Sequence, residues 1–559
     1  MKNTIKQIEA VILFVLALPL TSVAQDQLGV GLVGPVEANQ VAKVTLKSSK
    51  SYENPFMEIE LDAVVNQPDG KQVKVPMYWD GDEDWKLRYA SPQTGVHTFL
   101  TTCSDVSNTG LHGIEGKIEV TPYKGGNPLL RHGPIRVSQN KRHFEHEDGT
   151  PFLWLADTWW KALCKRMTWE GFQELTADRK AKGFNAIQIV IGPYPDEDMM
   201  EDRWGNEGGL PYTKKDFSVV NPEYFKYADR RIQHLVSQGL VPVIVGGWGR
   251  PQGGGKSTLI QVGLEGYKRH WRNLVARYGA YPAVWMVGGE AQDSYGPWSE
   301  LGRYLQVTDP YKHPMCYHAP EHPRHALKDN DFFDFDMIAI GHDGMRTIKQ
   351  TYDLLNASFE AKPKRPALCG EACYEGHMQT NFQYTQRYMF WSFLLSGAAG
   401  HTYGAAGIWH AGVEGDAGHT GFRGQEYDFT TWREGMHYPG AKQIGLGKKL
   451  LEKLPWHRFE SHPEWVEPGC FAAGIPGEIR VIYQPRRNIY NWIGQTVKGL
   501  DPGVDWKVYY FDPATGRTFD QGMIKASAKA GDKNAPRVNF KKNVPSPQDW
   551  VIVFERASE

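Results

Sequence analysis

From Val30 to about Tyr123 apolar and polar residues alternate with period two, and turn residues separate the runs. Val41–Leu46, Met57–Leu61, Val73–Tyr78 and Val96–Thr102 each offer one apolar and one polar face, as half-buried strands do. No helical pattern interrupts them, so the stretch predicts an antiparallel β-sandwich of roughly a hundred residues. Gly125–Gly133, with Asn127-Pro128 inside it, reads as a linker to the next segment of the chain.

Between about Ile135 and Leu454 the pattern becomes strand, loop, helix, repeated. After a hairpin-like lead-in at His143–Gly149, strands are expected at Pro151–Ala156, Asn185–Ile191, Leu240–Val245, Ala283–Val287, Met315–His318, Met337–Ile340, Ala367–Cys369 and His401–Ala405. Helices fit near Thr168–Gly183 and Glu223–Gln238, and one carries Tyr267, Trp271, Leu274, Val275 and Tyr278 on a single face. Others fit near 297–307, 346–358, 379–396 and 434–452, while Glu321–Phe335 is charged and irregular. Eight such repeats over roughly 300 residues predict an α/β fold, a (β/α)8 TIM-type barrel, rather than an open sheet. No GxGxxG follows the first strand, so nothing supports a dinucleotide fold. From about Pro463 strands return at Cys470–Ala473, Ile479–Tyr483, Trp506–Tyr510, Arg537–Phe540 and Trp550–Phe554, with a hairpin signal at Asp512–Gly516. The chain thus divides into an Ig-like sandwich at 25–128, a barrel at 129–455 and a second sandwich at 456–559.

Residues 1–24 are of another kind. Lys2 and Lys6 precede the apolar run Val11–Leu20, and Ser22-Val23-Ala24 offers a small-x-small cleavage site. That is the pattern of a secretory signal peptide, too short for a membrane anchor. A secreted or periplasmic protein, cleaved near Ala24 and without a membrane span, is expected.

Composition narrows the partner. Net charge is -1 with a pI near 7.0, which gives no electrostatic footprint for nucleic acid or an anionic membrane. Aromatic content is 12%, including 19 Trp. Sugar rings present flat C–H faces that stack on Trp and Tyr, so the excess points toward carbohydrate, although many of these rings will sit in cores. The six cysteines are scattered, and Cys369 and Cys373 flank Glu371 at a spacing that matches no common zinc pattern, so structural thiols are expected. A monomer or weak oligomer needing no cofactor is expected.

Barrel enzymes carry their reactive groups at the C-terminal ends of the strands. The fourth strand ends AVWMVGGE at Glu290 and the seventh ends PALCGE at Glu371. Paired glycines at a strand end allow a tight turn and close approach of a ligand. Two glutamates across a barrel mouth suit glycosidic cleavage, in which one carboxylic acid protonates the leaving oxygen and the other carboxylate attacks or activates water. Glu290 follows an apolar strand, so desolvation favours its acid form; Glu371 suits the nucleophile or base, and reversed roles remain open. The other candidates are Asp157, Trp159, Trp160, Trp248, His318, His342, Tyr374, His401, Tyr403 and Trp409, expected to bind substrate. The acidic loop Asp196–Asp202 reads as solvated and does not match a calcium loop. The first strand supplies no HxH pair, which gives a metallohydrolase little support; that reading would predict sensitivity to chelators.

Several separated motifs resemble one family. HFEHEDGTPFLWLADTWW, NPEYFKYADRRIQHLVSQGLVPVIVGGWG, VWMVGGE, CGEACYEG and HTYGAAGIW are similar to the apiosidase-like glycoside hydrolases of bacterial polysaccharide degradation. The N-terminal stretch, including NPLLRHGPIRV, resembles the domain of unknown function that precedes such barrels, and the stretch around YYFDPATG resembles their small collagen-binding-type domain. The resemblance implies an exo-acting (β/α)8 glycosidase with Glu290 and Glu371 at the catalytic positions. At the first of these the family often has Asp, so a carboxylate one methylene longer stands here. A furanoside or deoxy-sugar linkage in plant or algal polysaccharide is as well implied as apiose. The competing expectation is a catalytically inactive carbohydrate-binding or surface-adhesion protein that uses the same cleft.

Overall fold

The structure is a computed structural model that describes residues 32–195, 197–249, 257–319, 321–416, 428–486, 494–525 and 538–557. The expected signal peptide and Asp196 lie outside the described residues. Among the described residues no helix is long and apolar enough to cross a membrane.

Eight parallel strands form one sheet: β1 (Trp154–Thr158), β2 (Ala186–Val190), β3 (Val241–Val245), β4 (Val284–Gly289), β5 (Met315–His318), β6 (Asp336–Gly341), β7 (Ala367–Ala372) and β8 (Gly400–Tyr403). β1 pairs with both β2 and β8, and a bridge between Ala319 and Ile338 joins the β5 and β6 edges, so the sheet closes into a barrel. β1, β2 and β3 are buried throughout, which is why they read as continuous apolar runs.

Helices α1 (Trp169–Lys182), α2 (Pro222–Ser237), α3 (Leu264–Tyr278), α4 (Trp298–Thr308), α6 (Gly344–Glu360), α7 (Gln383–Leu394) and α8 (Pro439–Leu451) surround it, with α5 reduced to one turn at Pro323–Ala326. That single turn is the irregular stretch of the sequence. Local chemistry sets the ends. α1 starts where Thr168 accepts from the Gly171 N–H and stops at Gly183, whose φ of 93° a side chain would strain. The base is closed by a hairpin sheet at Ile135–Val137, Phe144–His146 and Pro151–Phe152, whose Phe144 packs 5.3 Å from Trp154.

Before the barrel, strands 32–37, 115–121, 95–103, 61–66 and 72–76 form one sheet and 42–47, 84–89 and 78–79 another, with Leu61, Leu87, Phe99 and Ile118 buried between them. Two details depart from the expected sandwich. Pro55–Glu58 is a helical turn where the alternation predicts a strand from Met57, and the Leu32–Glu37 and Glu115–Thr121 strands run parallel. Proline at the start and Asn54 ahead of it favour the turn over extension. After the barrel a six-stranded antiparallel sheet and a two-stranded ribbon enclose Trp506, Trp550 and Phe554. Charged pairs dock both flanking units: Arg88 meets Asp229 of α2, and Arg387 of α7 grips Asp549 through two hydrogen bonds of 2.8 and 2.7 Å.

Candidate active site

Every residue of β4 is buried, so its two faces meet the barrel interior and the helix layer. The two glycines answer to neighbours on those faces. A Cβ on Gly288 would lie 2.5 Å from a ring carbon of Trp298, and one on Gly289 only 2.0 Å from Trp248. Glu290 follows with φ of 44°, a left-handed conformation that costs a side-chain-bearing residue about 1–2 kcal/mol. The chain turns there, and Glu290 sits half-buried where the strand ends.

Glu371, near the end of β7, is held by three side chains. Its Oε2 accepts from Nε2 of His318 at 3.0 Å and from the Tyr374 hydroxyl at 2.6 Å, and Nε2 of His342 lies 3.1 Å from Oε1. The Tyr374 backbone N–H donates to Nδ1 of His342, which leaves the His342 proton on Nε2, facing Glu371. Burial by itself pushes the Glu371 carboxyl up; hydrogen bonds from His318 and His342 outweigh it and hold the group well below the usual carboxylate range. His318 also pairs in register with Gly289, the residue before Glu290, so the end of β4 lies beside the end of β5.

Aromatic rings line the same region. Trp160 and Trp248 stand 5.2 Å apart, and His318 lies 5.5 and 5.1 Å from them. Trp409 packs 6.4 Å from Tyr374 and 5.9 Å from His377. The structure therefore gathers Glu290, Glu371, His318, His342, Tyr374, Trp160, Trp248 and Trp409 at one end of the barrel. Within that group His318, His342 and Tyr374 serve Glu371 itself, where sugar contacts were expected.

Four candidates face the other way. Gln188 reaches across the barrel, donating to Thr158 and to the Gly370 carbonyl at 3.1 Å each, so Thr158 points inward and Asp157 outward. Asp157 accepts from Arg179 of α1 at 2.6 Å and from Trp159 Nε1 at 2.8 Å, all three fully buried. Tyr403 sits beside them in register and donates to Glu375 at 2.6 Å. His401 packs between Phe390 and Phe393 of α7, and burial pushes its imidazole down to about 3. Asp157, Trp159, His401 and Tyr403 thus belong to the wall between barrel and helices, out of reach of a substrate. A strand end places a residue by height but not by side, and the side decides.

A family model for the apiosidase-like catalytic domain matches residues 138–458, more than half of the chain. The chain belongs to the apiosidase-like family. A second model, a domain of unknown function, matches residues 35–104 of this apiosidase-like protein. No curated protein matches the sequence. Among solved structures, one titled simply a glycoside hydrolase is 20% identical with a TM-score of 0.63, covering 78% of this chain and 99% of its own. A family 5 glycoside hydrolase from Bacteroides vulgatus ATCC 8482 is 18% identical with a TM-score of 0.63, covering 78% and 96%. A provisional glycoside hydrolase from the same strain is 17% identical, with a TM-score of 0.69 over 94% and 100%. At these identities the likeness is one of fold. The family match makes the apiosidase-like barrel a glycosidase domain.

Other residues of this apiosidase-like site carry no clear signal in the sequence. Lys161 and Glu197 form a fully buried ion pair of 2.5 Å, with the ammonium 4.2 Å over the Trp204 ring. Burial pushes Lys161 down to about 8 against the pull of Glu197. Its place directly after Trp159-Trp160 was the available signal. The six cysteines, Cys369 and Cys373 included, are buried free thiols. Among the described residues no group of three or more His, Cys, Asp or Glu side chains could hold a metal ion.

Glu375, on the wall side with Tyr403, likewise carries no clear signal in the sequence. It is buried against Tyr403 and the Gly440 N–H of α8, and burial pushes its carboxyl up to about 6. A carboxyl raised on folding contributes stability in full below its unfolded value, and that contribution is lost as pH climbs through the folded value. Glu375→Gln is neutral at every pH. Its stability should match the parent near pH 4 and exceed it by about 1–2 kcal/mol at pH 8, read from urea midpoints at both pH values.

Proposed function

We propose that this glycosidase is exported and cleaves a glycosidic bond in plant or algal polysaccharide with two carboxylates. Glu371 is the nucleophile or base and Glu290 the general acid/base. The observation that carries this reading is the Glu371 carboxylate, kept ionised by donors from His318, His342 and Tyr374. An anion held this way is ready to attack an anomeric carbon, or to activate a water, through neutral pH. Glu290 would give its proton to the departing oxygen. Trp160, Trp248 and Trp409 are buried and, packed against His318 and Tyr374, shape the region around the two carboxylates. Exo action on a furanoside or deoxy-sugar side chain is drawn from the family resemblance.

The test is turnover of plant and algal oligosaccharides, with released monosaccharides identified. Wild-type protein that binds such glycans and cleaves none would favour the adhesion reading. Glu290→Gln should lower kcat/KM on natural linkages by about 10²–10⁴, the usual worth of a general acid. On aryl glycosides with an acidic phenol as leaving group most of that loss should vanish, because the phenolate departs unprotonated. An equal loss on both substrate types would remove Glu290 from the acid role.

A further inference from the structure

His377 lies in a segment that its own backbone disfavours. Met378, Gln379 and Asn381 have φ of 51°, 60° and 58°, and Gly376 has 75°. Left-handed backbone is strained at a side-chain-bearing residue, and such strain persists only where the surroundings impose it. Asn381 donates to the His342 carbonyl at 3.1 Å, and Gln386 donates to the carbonyls of Asn381 and Cys373 at 2.8 and 2.7 Å. The outcome of this bracing is to press the His377 ring 4.6 Å from that of His342.

On its far side His377 meets a carboxylate from a distant part of the chain. Asp428, itself at φ of 64°, comes from the connection between β8 and α8. Its Oδ2 lies 3.4 Å from Nδ1 of His377 and 3.8 Å from Nε2 of His410. The Asp428 side chain is 1% exposed, against 21% for His342 and 12% for Glu371. It is thus too deep to touch a substrate. A buried carboxylate is costly unless it is paired, and the imidazoles of His377 and His410 stand beside Asp428. Its neighbours lead in two steps, His377 and His342, to Oε1 of Glu371.

We infer that Asp428 is a positioning residue for Glu371, acting through His377 and His342, which makes this one residue between β8 and α8 part of the active site. The inference rests on the reading of Glu371 as the ionised catalytic carboxylate. Asp428 holds the His377 ring; that ring fixes the plane of His342; and His342, its proton set on Nε2 by the Tyr374 N–H, donates to Glu371. Among the described residues, the charged and titratable groups around this chain include Glu371, His318, Tyr374, Cys369, Tyr438 and His410, with Lys161 acting on His410 from beyond Trp409.

The sign of a pH effect separates positioning from simple electrostatics. Removing a negative charge near Glu371 would by Coulomb's law make its ionisation easier and move the acid limb of the kcat/KM profile down. Loosening His342 takes a donor from Glu371 and moves the limb up. For Asp428→Asn in the full-length protein we expect kcat to fall about tenfold with KM within about twofold, as an orienting partner's loss does, and the acid limb to rise. Asp428→Ala should behave alike, and long-range ¹H–¹⁵N spectra should show His342 losing its fixed tautomer in both. An acid limb that stays or falls overturns the inference, as does a His342 signal unchanged from wild type. So does a loss of activity that tracks only a lowered Tm. If Glu371→Gln itself retains activity, the catalytic reading fails first; if Glu371→Gln is inactive while Asp428→Asn matches wild type, only this inference fails.

Discussion

Glu371→Gln should fold normally and lose kcat by on the order of 10⁵, the scale seen when a nucleophile is removed. The glutamine keeps the outline of the carboxyl but not its charge. One of its two termini now bears hydrogens and faces a donor: Nε2 of His342 on one side, or His318 and Tyr374 on the other. Binding need not suffer, so KM should stay within a few-fold. The pH dependence of stability gives a second readout that needs no substrate. A carboxyl depressed on folding stabilises the native state above its unfolded value, and that contribution is lost as pH falls toward the folded value. Wild type should therefore lose stability on acidification in a component that Glu371→Gln lacks. Residual turnover near the wild-type rate, or superposable acid-unfolding curves, would take Glu371 out of the mechanism.

What the sequence makes legible depends on whether the side of a strand matters. The barrel is legible because buried parallel strands and amphipathic helices write different periods, and β1 to β8 fall close to the expected positions. Strand-end position likewise leads to Glu290 and Glu371. The facing of side chains is harder. The sequence pattern ends strand one at Ala156, which leaves Asp157 free to point into the mouth, whereas β1 continues through Thr158 and alternation turns Asp157 and Trp159 to the helices. His401 and Tyr403 share that outward face of β8, and in a barrel buried on both sides no polar-apolar alternation announces it. Residues brought together by loops are beyond its reach. The His377–Asp428 contact spans the β7–α7 and β8–α8 connections, and nothing periodic in either segment places one against the other.

Asp157→Ala should cost stability and spare catalysis, the reverse of what a sugar-binding aspartate would do. Asp157 accepts hydrogen bonds from Arg179, from Trp159 and from the Thr158 N–H at 2.6, 2.8 and 2.8 Å, and nothing of it reaches solvent. Deleting it leaves a guanidinium in the barrel wall with only the flanking Asp178 as a carboxylate partner, together with an unmatched indole N–H. Breaking a buried pair from one side typically costs about 3–5 kcal/mol, where burying the intact pair had gained little. In a domain of this size that should lower the Tm of the barrel transition by roughly 5–10 °C. At a temperature where the variant is folded, kcat and KM should remain within a few-fold of wild type, since the cleft side of β1 is formed by Thr158 and Trp160. Arg179→Met added to Asp157→Ala should recover part of the loss by removing the stranded charge, though the indole N–H stays unmatched. A raised KM with an unchanged Tm would instead put Asp157 back in the substrate site, and the inward-outward assignment of β1 would be wrong.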